Sequence, residues 1–278
     1  MSDIIQVSAP GKLIISGEHA VVYGYPALVT AINRRLTVVL VKGKRKIQSE
    51  IPIGCGMGSS AAYAVATSAT NILLKNKKLD LEIINDVAYK VEKKRHGNPS
   101  GVDNTVSTYG GFLWYRKESE NLKLFSPIKV KRAFPKVYLI DTGRPVESTK
   151  EMVASVAKLY KKDPLSTEII FRKIERVSKN FLKYLQGENI VGFSNLIKEN
   201  EVLLEKLGVV SNSTIKLIRK IEKNGGAAKI SGAGGWKDKS GILLVYHKDI
   251  NKLKNFAKRE KLELIEIQLG EEGVRIEK

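Results

Sequence analysis

The apolar positions of this chain change rhythm near its middle. In the first half they come in short runs that suit strands, at residues 4–8, 12–16 and 27–31 and most clearly at 35–41. The turn Tyr23-Gly24-Tyr25-Pro26 separates two of these runs. Residues 59–75 are small or apolar almost throughout, which predicts a largely buried helix. Asp80 predicts the N-cap of a second helix with Ile83, Ile84, Val87, Ala88 and Val91 on its apolar face. Residues 110–115 and 137–141 again suit strands. From Glu147 onward the apolar residues recur at three- and four-residue spacing. They predict amphipathic helices at about 148–161, 165–186, 189–205 and 213–223, the last stopped by Gly225-Gly226. Strands at 227–230 and 242–246 then flank the loop Gly232-Ala233-Gly234-Gly235, and a helix near 249–260 and a strand at 262–267 follow. The fold class implied is α+β in two lobes. A strand-rich mixed lobe spans 1–145 and a helix-rich lobe with its own small sheet spans 146–278, with the boundary near 143–147.

Composition narrows the function classes. A chain of 278 residues, 42% hydrophobic, is long enough to bury a sizeable core in one large domain or two lobes. No apolar run reaches the roughly 18 residues of a transmembrane helix. The N-terminal residues lack the basic and apolar regions of a signal peptide. Cys55 is the single cysteine, so no disulfide forms within the chain. A cytoplasmic location and no membrane partner are the expectation, and a homodimer is compatible with the pattern. The net charge of +19 raises the question of nucleic acid. The basic residues are spread along the whole chain, mostly on the polar sides of helical patterns, so no specific nucleic-acid partner is expected. The positive field favours anionic substrates instead.

Candidate chemistry begins at Gly54-Cys55-Gly56-Met57-Gly58-Ser59-Ser60-Ala61-Ala62. A glycine loop opening into a helix gathers backbone N–H groups at the positive end of the helix dipole, an arrangement suited to phosphate. The spacing matches neither the phosphate-binding P-loop nor the dinucleotide fingerprint. Taken alone, it reads equally as a tight strand-to-helix turn. Three further segments stand out: Ala9-Pro10-Gly11-Lys12-Leu13, continuing into Gly17-Glu18-His19-Ala20; His96-Gly97-Asn98-Pro99-Ser100-Gly101-Val102-Asp103-Asn104; and the loop at 231–235. Individually each is an ordinary polar turn. Asp103 reads as a helix cap, Glu18 and His19 as a surface turn, and Glu92 as a solvent-facing residue among Lys90, Lys93 and Lys94.

In this order the segments resemble the GHMP kinase superfamily, and the His96–Asn104 and Gly17–Gly24 stretches are most similar to its mevalonate kinase family. That resemblance implies an N-terminal lobe like ribosomal protein S5 domain 2 and a ferredoxin-like, helix-rich C-terminal lobe. It implies ATP-dependent phosphorylation of mevalonate at its 5-hydroxyl, with ATP and Mg²⁺ required. On this reading Asp103 is the catalytic base with Lys12 beside it. Gly54, Gly56, Met57, Gly58, Ser59 and Ser60 hold ATP, Ser60 and Glu92 hold Mg²⁺, and Glu18, His19, Ser100 and Thr142 form the substrate pocket. A related kinase acting on phosphomevalonate or on another hydroxyl of mevalonate is the alternative within the superfamily. A non-catalytic, basic nucleic-acid-binding protein is the alternative outside it. The chain departs from the family pattern after Gly235, where Trp236-Lys237-Asp238-Lys239 stands in place of small residues. Trp236 is expected to cover a core edge, while Lys237 and Lys239 are candidates to approach phosphate. Met57 stands where relatives more often carry leucine, a swap of similar volume.

Overall fold

The computed structural model describes residues 4–96, 99–188 and 192–277, without the side chains of Asn76, Arg95 and His96. Strands β1 (Ile4–Ser16) and β2 (Ala27–Val41) form a long antiparallel pair. The expectation of four short strands is corrected here. The register jumps from Pro10↔Arg35 to Gly11↔Ile32, so Asn33 and Arg34 are taken up as a bulge. A bulge bends a strand without ending it, which is why the polar interruptions are not loops. β2 also pairs with β3 (Lys44–Ser49), a wholly exposed, basic strand without alternating apolar residues. β4 (Phe112–Lys117) pairs with the start of β2, on the same edge as β3, and β5 (Lys123–Pro127) extends the sheet beyond β4.

Helices α1 (Ser59–Asn76) and α3 (Val102–Tyr109) pack on this sheet, and α2 (Leu81–His96) packs on both of them. Ala62, Val65, Ala66 and Ala69 of α1 are fully buried. Such small side chains let the helix axis approach the sheet closely. On α2 the buried stripe is Ile84, Ala88 and Glu92, whereas Ile83 and Val87 are exposed. The apolar face expected from the sequence is therefore rotated, because α1 and α3 both pack on the 84–88–92 side.

The second sheet runs in the order β7 (Ala227–Ser231), β8 (Ile242–Tyr246), β6 (Tyr138–Asp141), β9 (Ile265–Glu266), all antiparallel. The remaining helices are α4 (Thr149–Lys162), α5 (Pro164–Leu185), α6 (Phe193–Lys206), α7 (Asn212–Lys223) and α8 (Ile250–Arg259); α6 and α7 pack on β7, whereas α5 packs on α4, on α6 and on β1 and β2 of the first sheet. The expected start of the third of these helices at residue 189 lies outside the described residues. Ser148 caps α4 through a capping box with Glu151, and Pro164 sits in the first turn of α5. Two short strands cross the expected division of the chain: β6 joins the second sheet, and β10 (Arg275–Ile276) returns to pair with β1. His247, expected at the surface, is half-buried. It donates from Nε2 to the Asn224 carbonyl at the end of α7 and accepts the Asp249 N–H at the start of α8. Among the described residues, no helix is long and apolar enough to cross a membrane.

On α5 the buried side chains are Thr167, Phe171, Ile174, Val177, Ser178, Phe181 and Leu185, the spacing of one helical stripe. Phe181 meets Phe193 edge-on at 5.7 Å, and Phe193 in turn meets Phe134 at 4.7 Å and Tyr246 at 5.0 Å. Phe181→Ala should therefore destabilise the protein by about 3–5 kcal/mol in urea or thermal unfolding. Leu165→Ala, at a position 81% exposed on the same helix, should stay within about 0.5 kcal/mol of the parent. Similar losses for both would show that the stripe is not the core of the second lobe.

Candidate active site

One cleft of about 720 Å³ lies between the two lobes and takes side chains from both. Lys12 enters it from β1, just past the bulge. Its backbone N–H donates to the Met57 carbonyl at 2.9 Å. Its Nζ lies 3.0 Å from Oδ1 of Asp103, in the first turn of α3. Lys12 is 3% exposed and Asp103 37%, so the lysine is fixed inside while the carboxylate faces the cleft. Gly58 allows this placement. Its φ is +80°, and a Cβ there would lie 2.6 Å from Cγ of Lys12, so any side chain would displace the lysine.

The glycine loop is held from both lobes. Met57 fastens it to β1, and the Cys55 carbonyl accepts the Ile242 N–H of β8 at 3.0 Å. At Gly56, with φ +93°, a Cβ would lie 2.7 Å from the Ser231 carbonyl of β7, so the loop and the end of β7 touch backbone to backbone. The Cys55 thiol lies 3.2 Å from Oδ2 of Asp141. Burial first, then this hydrogen bond, pushes the thiol up to about 11, so Cys55 is a packed thiol and not a nucleophile. α1 begins at Ser59 with Gly58 as its N-cap and no side-chain cap. Its first N–H groups are thus presented toward the cleft.

Ser60 Oγ donates to Oε1 of Glu92 at 2.7 Å, and both side chains line the cleft. Glu92 is buried because it continues the Ile84–Ala88 stripe, and it is not solvent-facing as its lysine neighbours suggest. No group of three or more His, Cys, Asp or Glu able to hold a metal occurs among the described residues. A hydroxyl and a carboxylate meeting at the mouth of a phosphate-type loop do suit Mg²⁺, which takes hard oxygen ligands and few of them from protein.

His19 lines the cleft at a left-handed φ of +59°. Its Nε2 donates to the Ala233 carbonyl at 3.0 Å. Burial pushes the imidazole down to about 4, with the carbonyl acting weakly in the other direction, so it is neutral at physiological pH. Ser100 also lines the cleft, and its carbonyl accepts the buried Tyr115 hydroxyl at 2.6 Å. Glu18 and Thr142 are not in the cleft. Glu18 is buried behind it, paired with Lys229 of β7. Thr142 donates from Oγ1 to the Gly241 carbonyl at 2.7 Å and accepts the Ser240 N–H at 3.1 Å, which makes it a clamp between β6 and β8. The Met57 side chain points into the core, so only its backbone belongs to the loop. Gly97, Asn98 and the His96 side chain lie outside the described residues.

In the third glycine segment, Gly232 and Ala233 line the cleft, whereas Trp236, Lys237 and Lys239 do not. Trp236 is 38% exposed. The Lys237 N–H donates to buried Glu147 at 3.1 Å, and the Lys239 side chain lies against Gly143. The apolar lining of the cleft, Val21, Val22, Leu36, Ile47, Tyr63, Val153, Ala154 and Ala157, carries no distinct signal in the sequence. The α4 residues sit at three- and four-residue spacing, a signal that reads equally well as ordinary helix packing.

The GHMP kinases N terminal domain matches residues 25–111. The mevalonate kinase of Archaeoglobus fulgidus is 35% identical, with 82% of this chain and 88% of that protein covered. The mevalonate kinase of Pyrococcus abyssi is 30% identical, covering 84% and 87%. Among solved structures, the Methanococcus jannaschii mevalonate kinase superposes with a TM-score of 0.76 at 26% identity, over 97% of this chain and 98% of that one. Identity at this level, sustained across both lobes and nearly the full length of these relatives, establishes that the chain belongs to the mevalonate kinase family of GHMP kinases.

Proposed function

We propose that the protein transfers the γ-phosphoryl group of ATP to the 5-hydroxyl of mevalonate, forming 5-phosphomevalonate and ADP. The observation that carries this reading is the placement of two side-chain pairs in one cleft, Lys12 with Asp103 and Ser60 with Glu92, beside an uncapped helix start. Phosphoryl transfer has a loose transition state, so an enzyme contributes mainly positioning and charge neutralisation. These two pairs supply both.

The ATP phosphates lie along residues 54–59, on the N–H groups of the loop and of the first turn of α1. Ser60 and Glu92 would hold Mg²⁺, which when bound would neutralise charge on the phosphate oxygens. Asp103 accepts the proton of the substrate hydroxyl as its oxygen bonds to the γ-phosphorus and the bond to the β–γ bridging oxygen breaks. Lys12 keeps Asp103 oriented and offers its ammonium to the negative charge of the transferring group. Neutral His19, held by Ala233, lines the same cavity with Ser100. Val21, Val22 and Val153 wall the cleft with apolar side chains, which limits the access of competing water. The working location is the cytoplasm.

The direct test is ADP release with mevalonate, phosphomevalonate, homoserine and galactose side by side. Mevalonate should support turnover and the other three should not; preference for another acceptor would overturn the substrate assignment. Asp103→Asn should lower kcat by about 10²–10³-fold, the usual cost of removing one key electrostatic group, while ATP affinity is retained. Near-normal turnover would remove Asp103 from the chemistry. Glu92→Gln keeps an acceptor for Ser60 but loses the charge. It should raise the Mg²⁺ concentration needed for half-maximal rate by at least roughly tenfold, and an unchanged Mg²⁺ titration would exclude Glu92 as a ligand.

A further inference from the structure

Behind the cleft the two sheets are joined by side chains. Ser231 Oγ accepts the Ile14 N–H at 3.0 Å and donates to the Ile14 carbonyl at 3.2 Å. Lys229, two residues earlier on β7 and therefore on the same face, donates to the Ile14 carbonyl at 3.3 Å and the Ile230 carbonyl at 2.7 Å and pairs with Glu18. Ile14 lies two residues beyond Lys12 on β1, so this seam sets where Lys12 enters the cleft.

Between the two seam residues, the Ile230 N–H donates to Oε2 of Glu201, on α6, at 2.9 Å. Glu201 is fully buried, and its Oε1 has no hydrogen-bond partner among the described residues. The charged groups around it are Lys229 on β7, Glu205 one turn along α6 and Glu18 after β1. Glu205 is captured by Arg219 of α7 at 2.5 Å. Lys229 is committed to Glu18 and to two carbonyls, so a charge on Glu201 would be a second buried carboxylate without a cation of its own. A group so placed takes up a proton instead of remaining charged.

We infer that Glu201 is a neutral carboxylic acid in the folded protein, which holds the Ile230 N–H of β7 without setting a second buried charge beside the Lys229–Glu18 seam between β7 and β1, and that this makes it a positioning residue for Lys12. Burial pushes this carboxyl up to about 8, more than the Ile230 N–H and Lys229 pull it down. The raised value means that the folded protein holds a proton the unfolded chain has lost. Its stabilisation is complete below about pH 4.5 and is lost as pH rises to about 8.

The test compares the wild-type chain with Glu201→Gln, which keeps an acceptor for Ile230 but cannot ionise. In urea unfolding between pH 5 and 8, the wild-type unfolding constant should rise about tenfold per pH unit more steeply than that of the variant. Parallel curves would overturn the inference. The second arm rests on the proposed kinase activity: wild-type turnover should fall above about pH 8, and the variant should hold its rate there. A shared alkaline fall would remove the positioning role. Should the variant fail to fold, infrared spectroscopy of the wild type decides. A protonated carboxyl band present at pH 6 and lost through pH 8 supports the inference, and its absence overturns it. Diverging stability curves without mevalonate turnover would refute the kinase reading and leave the protonated Glu201 standing.

Discussion

The position of the glycine loop depends on two backbone hydrogen bonds, one from each lobe. Lys12 of β1 donates to Met57 from the first lobe, and Ile242 of β8 donates to Cys55 from the second. A loop fastened at one end only would be free to swing with its own lobe. Fastened at both, it reports the relative position of the two sheets. The same two bonds bring Lys12 beside the loop and α1 to its far end. Close approach is paid for in side chains: Gly56 and Gly58 have no room for a Cβ, because a carbonyl and a lysine occupy that space.

Much of the architecture was legible where one physical signal dominated. The helices of the second lobe show their stripes because each buries one apolar face at helical spacing, even where that face meets several elements, as α5 meets α4, α6, β1 and β2. The long strands were misread because a bulge at Pro10-Gly11 looks like an end when only composition is in view. β3 was invisible because it buries nothing. α2 was rotated in the reading because its buried side is decided by two neighbouring helices, and one member of the buried stripe, Glu92, is charged.

For the site, it was the family resemblance that grouped Lys12, Ser59, Ser60, Glu92, Ser100 and Asp103, and these do line one cleft. It could not separate Glu18 from His19. The two are adjacent, but the unusual backbone at His19 sends their side chains to different places. His19 faces the cleft, and Glu18 turns into the seam to meet Lys229. Thr142 was misplaced for a similar reason, since a threonine at a strand end next to a glycine serves as a clamp as readily as a ligand group. Lys229 carries no signal in the sequence, because an isolated lysine in a strand is usually exposed and this one is fully buried.

The charge of the whole chain and the charge of the cleft act on different scales. The excess of 48 basic over 29 acidic residues produces a positive field that favours the approach of anionic substrates and weakens with salt. Among the described residues that line the cleft that excess is absent: Lys12 and Lys150 are balanced by Asp103 and Glu92, and His19 is neutral. A site holding a surplus of fixed cations would bind the ground-state phosphates of ATP and the transferred group alike, which gains affinity without rate. Keeping the surplus on the outer surface, with two lysines balanced by two carboxylates in the cleft, leaves the interior field to be completed by the bound nucleotide and its metal. Between apolar walls, that field acts with less screening than in water.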